Sequence, residues 1–307
     1  PDRYAVTIFN AEPRVNYNRL MLSPVLSGEK RYEEIITHGD DWYAANGITL
    51  HKASPVSLID RTARRVVSAN GIVADYDRLV VATGSTPFIP PVPGHQLAGV
   101  VTYRDLDDVE KMLSMPPGSR IVVIGGGLLG LEAAAGLRMR GMEVTVLHLS
   151  PTLMERQLDP AAGYLLEKAF TERGIRILTR ANTKAILGVE RVEGVELEDG
   201  TRIACDMVVM AVGIRPATGL AKAAGLAVNR GIVVDDQLRT DDPHVFALGE
   251  CAEHRGMCYG LVAPLYEMAQ VLAGTLLGRE AAYHGSVTST KLKVTGIDLF
   301  SAGDFGG

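Results

Sequence analysis

An α/β fold of two related units, each a three-layer arrangement of a parallel sheet with a short antiparallel insert, is the architecture this sequence predicts. Three observations predict it. Short apolar runs of strand length alternate with stretches of helical period. A glycine-rich turn, Gly125-x-Gly127-x-x-Gly130, joins one such run to the next helix. A segment of the first half recurs in the second at a constant offset of 129 residues.

The glycine-rich turn fixes the centre of the second unit. Residues 121–124 (IVVI) are a four-residue apolar run, short enough for a buried parallel strand, and glycines close it. The helix that follows carries Leu128, Leu131, Ala134 and Leu137 at helical spacing, and a second apolar strand at 144–147 completes the unit. The three glycines act differently. Gly125 allows the tight turn, Gly127 lets backbone approach a pyrophosphate, and Gly130 lets helix and strand pack closely. Free N–H groups at the helix start then face a diphosphate. Strand, helix and second strand in this order mark a Rossmann-like dinucleotide site, which an isolated Gly-x-Gly-x-x-Gly would not.

A carboxylate for the ribose 2′-hydroxyl is expected about twenty residues beyond the motif, at the end of the second strand. His148 stands there instead. An acid would favour NAD and a nearby Arg NADP, so the choice stays open; His148 is either a ribose contact or a strand-end residue that binds nothing.

The repeat extends the same logic to the first half. Residues 70–87 (NGIVADYDRLVVATGSTP) match 199–216 (DGTRIACDMVVMAVGIRP): in both, a hairpin turn pair precedes an Asp, an apolar strand and a Gly-x-x-Pro ending. Residues 4–10 (YAVTIFN) resemble 143–148 (EVTVLH), so they read as the strand that follows a glycine-rich loop. Projected back, that loop falls before Pro1, and the first unit is expected to be N-terminally truncated, without its first strand and phosphate loop. Three lost backbone hydrogen bonds to a diphosphate, at ~1.5–3 kcal/mol each, would weaken binding there by roughly a thousandfold or more.

Between the copies, Pro90-Pro91-Val92-Pro93-Gly94 reads as a stiff turn and Met115-Pro116-Pro117-Gly118 as a linker into the second unit. Residues 231–250 hold two short strands and read as the return into the first unit; 265–277 read as a helix; a strand pattern starts at 286.

At 307 residues, 47% hydrophobic and 22% charged, the chain can build two or three ordinary cores. A formal charge of −5 with no basic patch argues against nucleic acid or an anionic membrane as partner. The most apolar run, 121–131, is eleven residues long with four glycines, short of the ~20 that span a bilayer, so a soluble chain without a signal peptide is expected. Cys205, Cys251 and Cys258 are too few and too irregular for a disulfide framework, which fits a reducing cytoplasm.

The two copies, Ala82-Thr83-Gly84 and Thr240…Phe246-Ala247-Leu248-Gly249-Glu250 together resemble the pyridine nucleotide-disulfide oxidoreductase superfamily of FAD and NAD(P)H enzymes. Four stretches are similar to the N-terminal portion of the large subunit of assimilatory NAD(P)H-nitrite reductases: 16–30 (NYNRLMLSPVLSGEK), 150–163 (SPTLMERQLDPAAG), 249–267 (GECAEHRGMCYGLVAPLYE) and 285–305 (GSVTSTKLKVTGIDLFSAGDF). The resemblance implies an FAD-binding domain at 1–113 and 229–285, an NAD(P)-binding domain at 114–228, and the start of a truncated C-terminal domain at 286–307. It also implies hydride passing from NAD(P)H to FAD and electrons passing onward to iron-sulfur and siroheme centres that reduce nitrite to ammonia. Those centres would lie in C-terminal domains of the same chain or work with a small subunit, and a homo-oligomer is compatible with this. Two other readings stay open: a stand-alone ferredoxin or rubredoxin reductase-like NADH-dependent flavoprotein, and a non-catalytic nucleotide-binding module.

For NAD(P), the resemblance adds Gly213 and Glu132 to the glycine-rich turn and His148, with Glu132 near the nicotinamide end; Glu132 also fits a helix first-turn acid favoured by the macrodipole. For FAD it implies Arg19 near the diphosphate or flavin, unless that Arg is a solvated surface residue, and Thr83 and Gly84 at a strand end. It also implies Gly249 and Glu250, the latter where the superfamily usually has an Asp for the ribityl chain. Glu12 is the carboxylate nearest Asn10, where the ribose acid of the first copy would stand. Pro264 and Leu265 open a helix whose N-terminus would face the flavin pyrimidine, or are a plain helix start. Hydride transfer needs positioning rather than a triad, so no catalytic or metal-ligating residue is assigned. No Cys precedes Cys205, so thiol chemistry at a flavin is not expected; Cys205 reads as core and Cys251 as structural.

Overall fold

The 121–124 run becomes strand Arg120–Ile124 in a computed structural model that describes residues 3–294 and 296–303. Contacts divide these residues into two units. One takes the chain up to Asn18, Ile36–Thr86 and Arg215–Thr288; the other takes Arg19–Ile35, Pro87–Ile214 and the chain from Ser289 onward.

In the second unit Arg120–Ile124 lies inside a five-stranded parallel sheet, between Glu143–Leu147 and Met207–Met210, with Arg176–Leu178 and Val100–Thr102 at the edges. A strand buried on both faces needs apolar residues at every position rather than at alternate ones. Ile121, Val122 and Val123 are 1%, 1% and 0% exposed, which is why the run reads IVVI. Helix Leu128–Met139 is buried around much of its circumference, through Leu131, Ala133, Ala134 and Leu137, and stops at Arg140 before the left-handed Gly141. Helix Pro160–Glu172 begins with Asp159, whose side chain accepts the Ala162 N–H at 2.8 Å, and with proline at its first position. The antiparallel insert is Thr183–Gly188, Val192–Leu197 and Arg202–Ala204, with Asp199-Gly200 at its second turn.

The first unit repeats the insert as Val56–Asp60, Arg65–Ser68 and Val73–Asp75, turning at Asn70-Gly71, where Gly71 has φ +85°. Among the described residues its parallel strands form three separate pairs: Val6–Phe9 with Ile48–His51, Leu79–Val81 with Val245–Ala247, and Ile232–Val234 with Ala252–His254. Helix Val262–Leu276 covers part of this unit's core through Met268 and Leu272.

Three expectations shift. The unit boundaries fall at 86/87 and 214/215 rather than after 113 and 228, because Val100–Thr102 hydrogen-bonds to Met207–Met210 and so extends the second sheet. Arg19–Ile35 joins the second unit because helix Leu22–Ser27 packs on Leu128–Met139. Leu26 fills the space a side chain at Gly136 would need, with its Cγ 3.0 Å from that ideal Cβ, and Arg140 Nε donates to the Leu26 carbonyl at 2.9 Å. The stretch expected from 286 to start a C-terminal domain divides between the units at 288/289. Ser289–Lys291 pairs antiparallel with Phe300–Ala302 and clusters with the second unit, where Arg173 Nη2 donates to the Gly296 carbonyl at 2.8 Å. Residues 304–307 lie outside the described residues. Among the described residues, no helix is long and apolar enough to cross a membrane.

Candidate nucleotide-binding sites

In the second unit the glycine-rich turn has the geometry its spacing requires. Gly125 has φ +120°, and a Cβ there would stand 2.2 Å from the Ala211 carbonyl oxygen. At Gly130 an added Cβ would stand 1.9 Å from the Gly125 oxygen, so helix and turn are in direct backbone contact. At Gly127, which caps helix Leu128–Met139, a Cβ would meet nothing within 4 Å. The absent side chain at Gly127 therefore keeps space open at a helix N-terminus rather than relieving a clash, and that space suits an anionic diphosphate. Gly213 has φ +112° and likewise has open space at its Cβ position.

His148 is 8% exposed and braces this turn. Its Nδ1 accepts the Gly126 N–H at 3.1 Å, which leaves the ring proton on Nε2; that nitrogen faces the Thr152 carbonyl and the Glu155 carboxylate, each at 3.0 Å. Both ring nitrogens are thus engaged by the chain itself. Glu155, which the sequence does not single out, is the carboxylate beside the histidine; nothing in the spacing of the two residues marks the pairing.

Glu132 is not a first-turn acid. It is the fifth residue of its helix and 8% exposed, and its contacts are specific ones that replace the macrodipole explanation. Its Oε2 accepts a short hydrogen bond from Ser23, whose own Oγ accepts the Tyr103 hydroxyl at 2.9 Å, and its Oε1 accepts the Lys293 N–H at 3.0 Å. Burial pushes the Glu132 carboxyl above the usual range, against the Ser23 and Lys293 bonds that lower it. Ser23, Tyr103 and Lys293 have no local signal linking them to Glu132; Ser23 and Lys293 lie only within stretches noted for their resemblance.

In the first unit, sheet register gathers four of the expected residues. Pairing of Val81 with Ala247 brings Thr83 and Gly84 alongside Gly249 and Glu250 beyond the strand ends. Ser85 Oγ donates to Glu250 Oε2 at 2.8 Å, and Thr83 Oγ1 to the Ala217 carbonyl at 2.7 Å. Gly84 and Gly249 adopt φ +67° and +87°, and a Cβ at Gly249 would again meet nothing within 4 Å. Helix Val262–Leu276 packs against the Gly249–Cys251 turn. That helix starts earlier than expected, so Pro264 and Leu265 are its third and fourth residues. A proline is accepted there because first-turn N–H groups have no intrahelical partner.

Two further expected FAD residues make hydrogen bonds within their own units. Glu12, in the loop after Val6–Phe9, accepts the Tyr17 hydroxyl at 2.7 Å. Arg19 belongs to the second unit, where its Nη1 donates to the Arg104 carbonyl at 3.0 Å. Cys205 and Cys251 are both fully buried, and burial pushes the Cys205 thiol up to about 12. Among the described residues, no cluster of His, Cys, Asp and Glu is arranged to hold a metal ion.

A complete dinucleotide scaffold with an open glycine cradle, and a second unit of related plan, define an NAD(P)H-dependent oxidoreductase class. The chain belongs to the pyridine nucleotide-disulphide oxidoreductase family, whose model matches residues 2–271. Among curated relatives it is 50% identical over 306 residues to "Nitrite reductase [NAD(P)H]" of Bacillus subtilis (strain 168), covering 99% of this chain and 38% of that protein. It is 34% identical over 304 residues to "Nitric oxide reductase FlRd-NAD(+) reductase" of Vibrio vulnificus (strain CMCP6), covering 98% of this chain and 79% of that protein. Among solved structures, a putidaredoxin reductase in covalent complex with putidaredoxin matches with a TM-score of 0.90 at 30% identity, over 98% of this chain and 75% of that one. The chain therefore spans about two fifths of the nitrite reductase it resembles.

Proposed function

We propose that this chain is the electron-input module of a nitrite-reducing enzyme. The second unit binds NAD(P)H through the 125–130 turn, and the first unit binds FAD beyond the Val81 and Ala247 strand ends. Electrons leave toward iron-sulfur and siroheme centres carried by further domains of the same chain or served by a small subunit. A bound nicotinamide would supply hydride chemistry, and a bound flavin would supply the conversion of that two-electron donor into single electrons.

The chain's own residues bind, orient and exclude. The first-turn N–H groups of Leu128–Met139 take the diphosphate, His148 holds the turn in shape through Gly126, and Glu132 offers a buried acceptor on the same helix. In the first unit Ser85 fixes the Glu250 carboxylate beside Gly249. The observation that carries the reading is Gly127. Its Cβ position is empty, and its φ of −87° is open to any residue, so the glycine serves something outside the fold.

That gives a direct test. Gly127→Val should leave the far-ultraviolet circular dichroism spectrum unchanged and weaken NADH, followed by its fluorescence on titration, by roughly tenfold or more, the effect of ~1.4 kcal/mol. Unaltered NADH affinity in a folded Gly127→Val protein contradicts the reading.

A second reading, a stand-alone reductase of a small electron-carrier protein, is favoured by the match to the putidaredoxin reductase at a TM-score of 0.90 and 30% identity. NADH-dependent nitrite consumption by the full-length protein, with ammonia formed, supports the first reading; reduction of a rubredoxin or ferredoxin without nitrite turnover supports the second.

A further inference from the structure

Three arginines of the first unit line one cavity, and among the described residues none of them forms an ion pair with a carboxylate. Arg3, Arg78 and Arg239 enclose about 360 Å³ together with Tyr4, Phe246 and Thr275. Elsewhere in the same unit Arg61, Arg65 and Arg255 each lie against an aspartate, at 2.7, 3.6 and 2.6 Å, so the missing counter-charge is particular to this place. The chain as a whole carries a net charge of −5.

The fold itself gathers these groups. Arg3 Nη1 donates to the Leu277 carbonyl just past helix Val262–Leu276, and the Tyr4 hydroxyl donates to the Leu276 carbonyl at 2.7 Å, so both residues are tied to that helix end. Arg78 Nη1 donates to the Asp77 carbonyl at 2.8 Å and lies 3.0 Å from His244 Nδ1. Each guanidinium has five N–H donors, so these contacts leave several for a ligand. Guanidiniums stay charged and repel one another when brought together, a cost that a bound anion offsets. Thr275 is a separate sign of a ligand: its Oγ1 is buried and has no hydrogen-bond partner among the described residues. A helical threonine has two χ1 rotamers open to it, and exchange between them turns the hydroxyl toward the cavity.

Size and place separate this cavity from the proposed FAD contacts. Arg78 immediately precedes strand Leu79–Val81, whose other end leads to Thr83 and Gly84. At about 3.3 Å per residue, the step from Arg78 to Thr83 spans roughly 16 Å. Ligand pockets run from about 300 to 1,000 Å³, so this one suits a small ligand and not a dinucleotide. Several guanidinium forks around one centre match the oxygens of a phosphate.

We infer that this cavity binds the phosphate group of a small anion, held by Arg3, Arg78 and Arg239 with the Thr275 hydroxyl turned toward it. The site lies at the end of the Leu79–Val81 strand away from Thr83 and Gly84.

The test uses the full-length protein with saturating FAD and NAD+, so that dinucleotide sites are filled. Inorganic phosphate and glycerol 3-phosphate are titrated calorimetrically at constant ionic strength. Among the described residues the Arg239 side chain makes no hydrogen bond to the chain, so Arg239→Gln should leave the melting temperature unchanged. It should weaken the bound anion by roughly tenfold. Thr275→Val should weaken it by roughly threefold without lowering the melting temperature of the anion-free protein, since it removes an unpartnered hydroxyl. Gly127→Val should leave phosphate affinity unchanged. Tighter binding of glycerol 3-phosphate assigns the site to a phosphomonoester and tighter binding of inorganic phosphate to the free ion, and either supports it. Binding of neither probe by the unaltered protein, or affinity that Arg239→Gln or Thr275→Val leaves intact, overturns the inference. Loss of phosphate binding in Gly127→Val also overturns it, because the anion then sits at the glycine-rich turn.

Discussion

Val80 and Val209 occupy the same place in the two copies, 129 residues apart, yet Val80 is 36% exposed and Val209 fully buried. Val6 and Ile8 differ in the same way from Val144 and Val146: 42% and 37% exposed against 3% and 0%. The side chains are alike, so composition does not explain the contrast. In the second unit Arg120–Ile124 pairs on both sides and joins five strands into one sheet, whereas among the described residues of the first unit no strand joins the Val6–Phe9 pair to the Leu79–Val81 pair. An apolar run becomes core only when a neighbouring strand completes the layer that covers it.

The largest effect is expected at these paired valines. Val209→Asp should destabilise the protein by about 3–5 kcal/mol, the cost of an uncompensated buried charge, while Val80→Asp should cost under ~1 kcal/mol in urea unfolding of this 307-residue chain. Equal costs would remove the distinction.

A smaller effect should separate the two strand-end residues. His148→Ala leaves the buried Gly126 N–H without its acceptor and should cost about 1–3 kcal/mol. Its counterpart Asn10, half-buried and donating from Nδ2 to the Arg14 carbonyl at 2.8 Å, should cost ~1 kcal/mol or less when changed to Ala. Chemical unfolding of the two variants side by side checks the order.

The smallest effect is in pH. In the first unit, hydrogen bonds from Arg255 and then His254 hold Asp236 down to about 2, so this exposed carboxyl stabilises the fold above its ordinary value near 3.8 and loses that contribution as pH falls toward 2. In the second unit, burial raises Glu132, so the folded state holds its proton longer than the unfolded one and stability falls as pH rises through and above 4.5. Melting temperatures of Asp236→Asn and Glu132→Gln between pH 2 and 7 should therefore depart from the parent in opposite directions.

What the residues reveal by themselves is local. The turn at Gly125, the helix spacing of Leu131 and Leu137, and the Asn70-Gly71 and Asp199-Gly200 hairpins each depend on neighbours a few positions away. The sequence places the start of the Val262 helix three residues late because Pro264 looks like a start, although a first turn tolerates proline at its third position. Contacts across long separations leave no trace. Leu26 against Gly136 pulls Arg19–Ile35 into the second unit, and Lys293 reaches Glu132, through geometry that exists only once the sheet has formed. His148 shows the same limit: its position at the strand end is legible, but its bond to Gly126 is not.

Amide hydrogen exchange with and without NADH tests most directly whether the complete second unit is the one that grips the pyridine nucleotide. NADH is expected to slow exchange of the amides at 125–131, with those beyond the Leu79–Val81 strand of the first unit, at 82–85, unaffected. Unchanged exchange at 125–131, or protection confined to the first unit, would contradict that assignment.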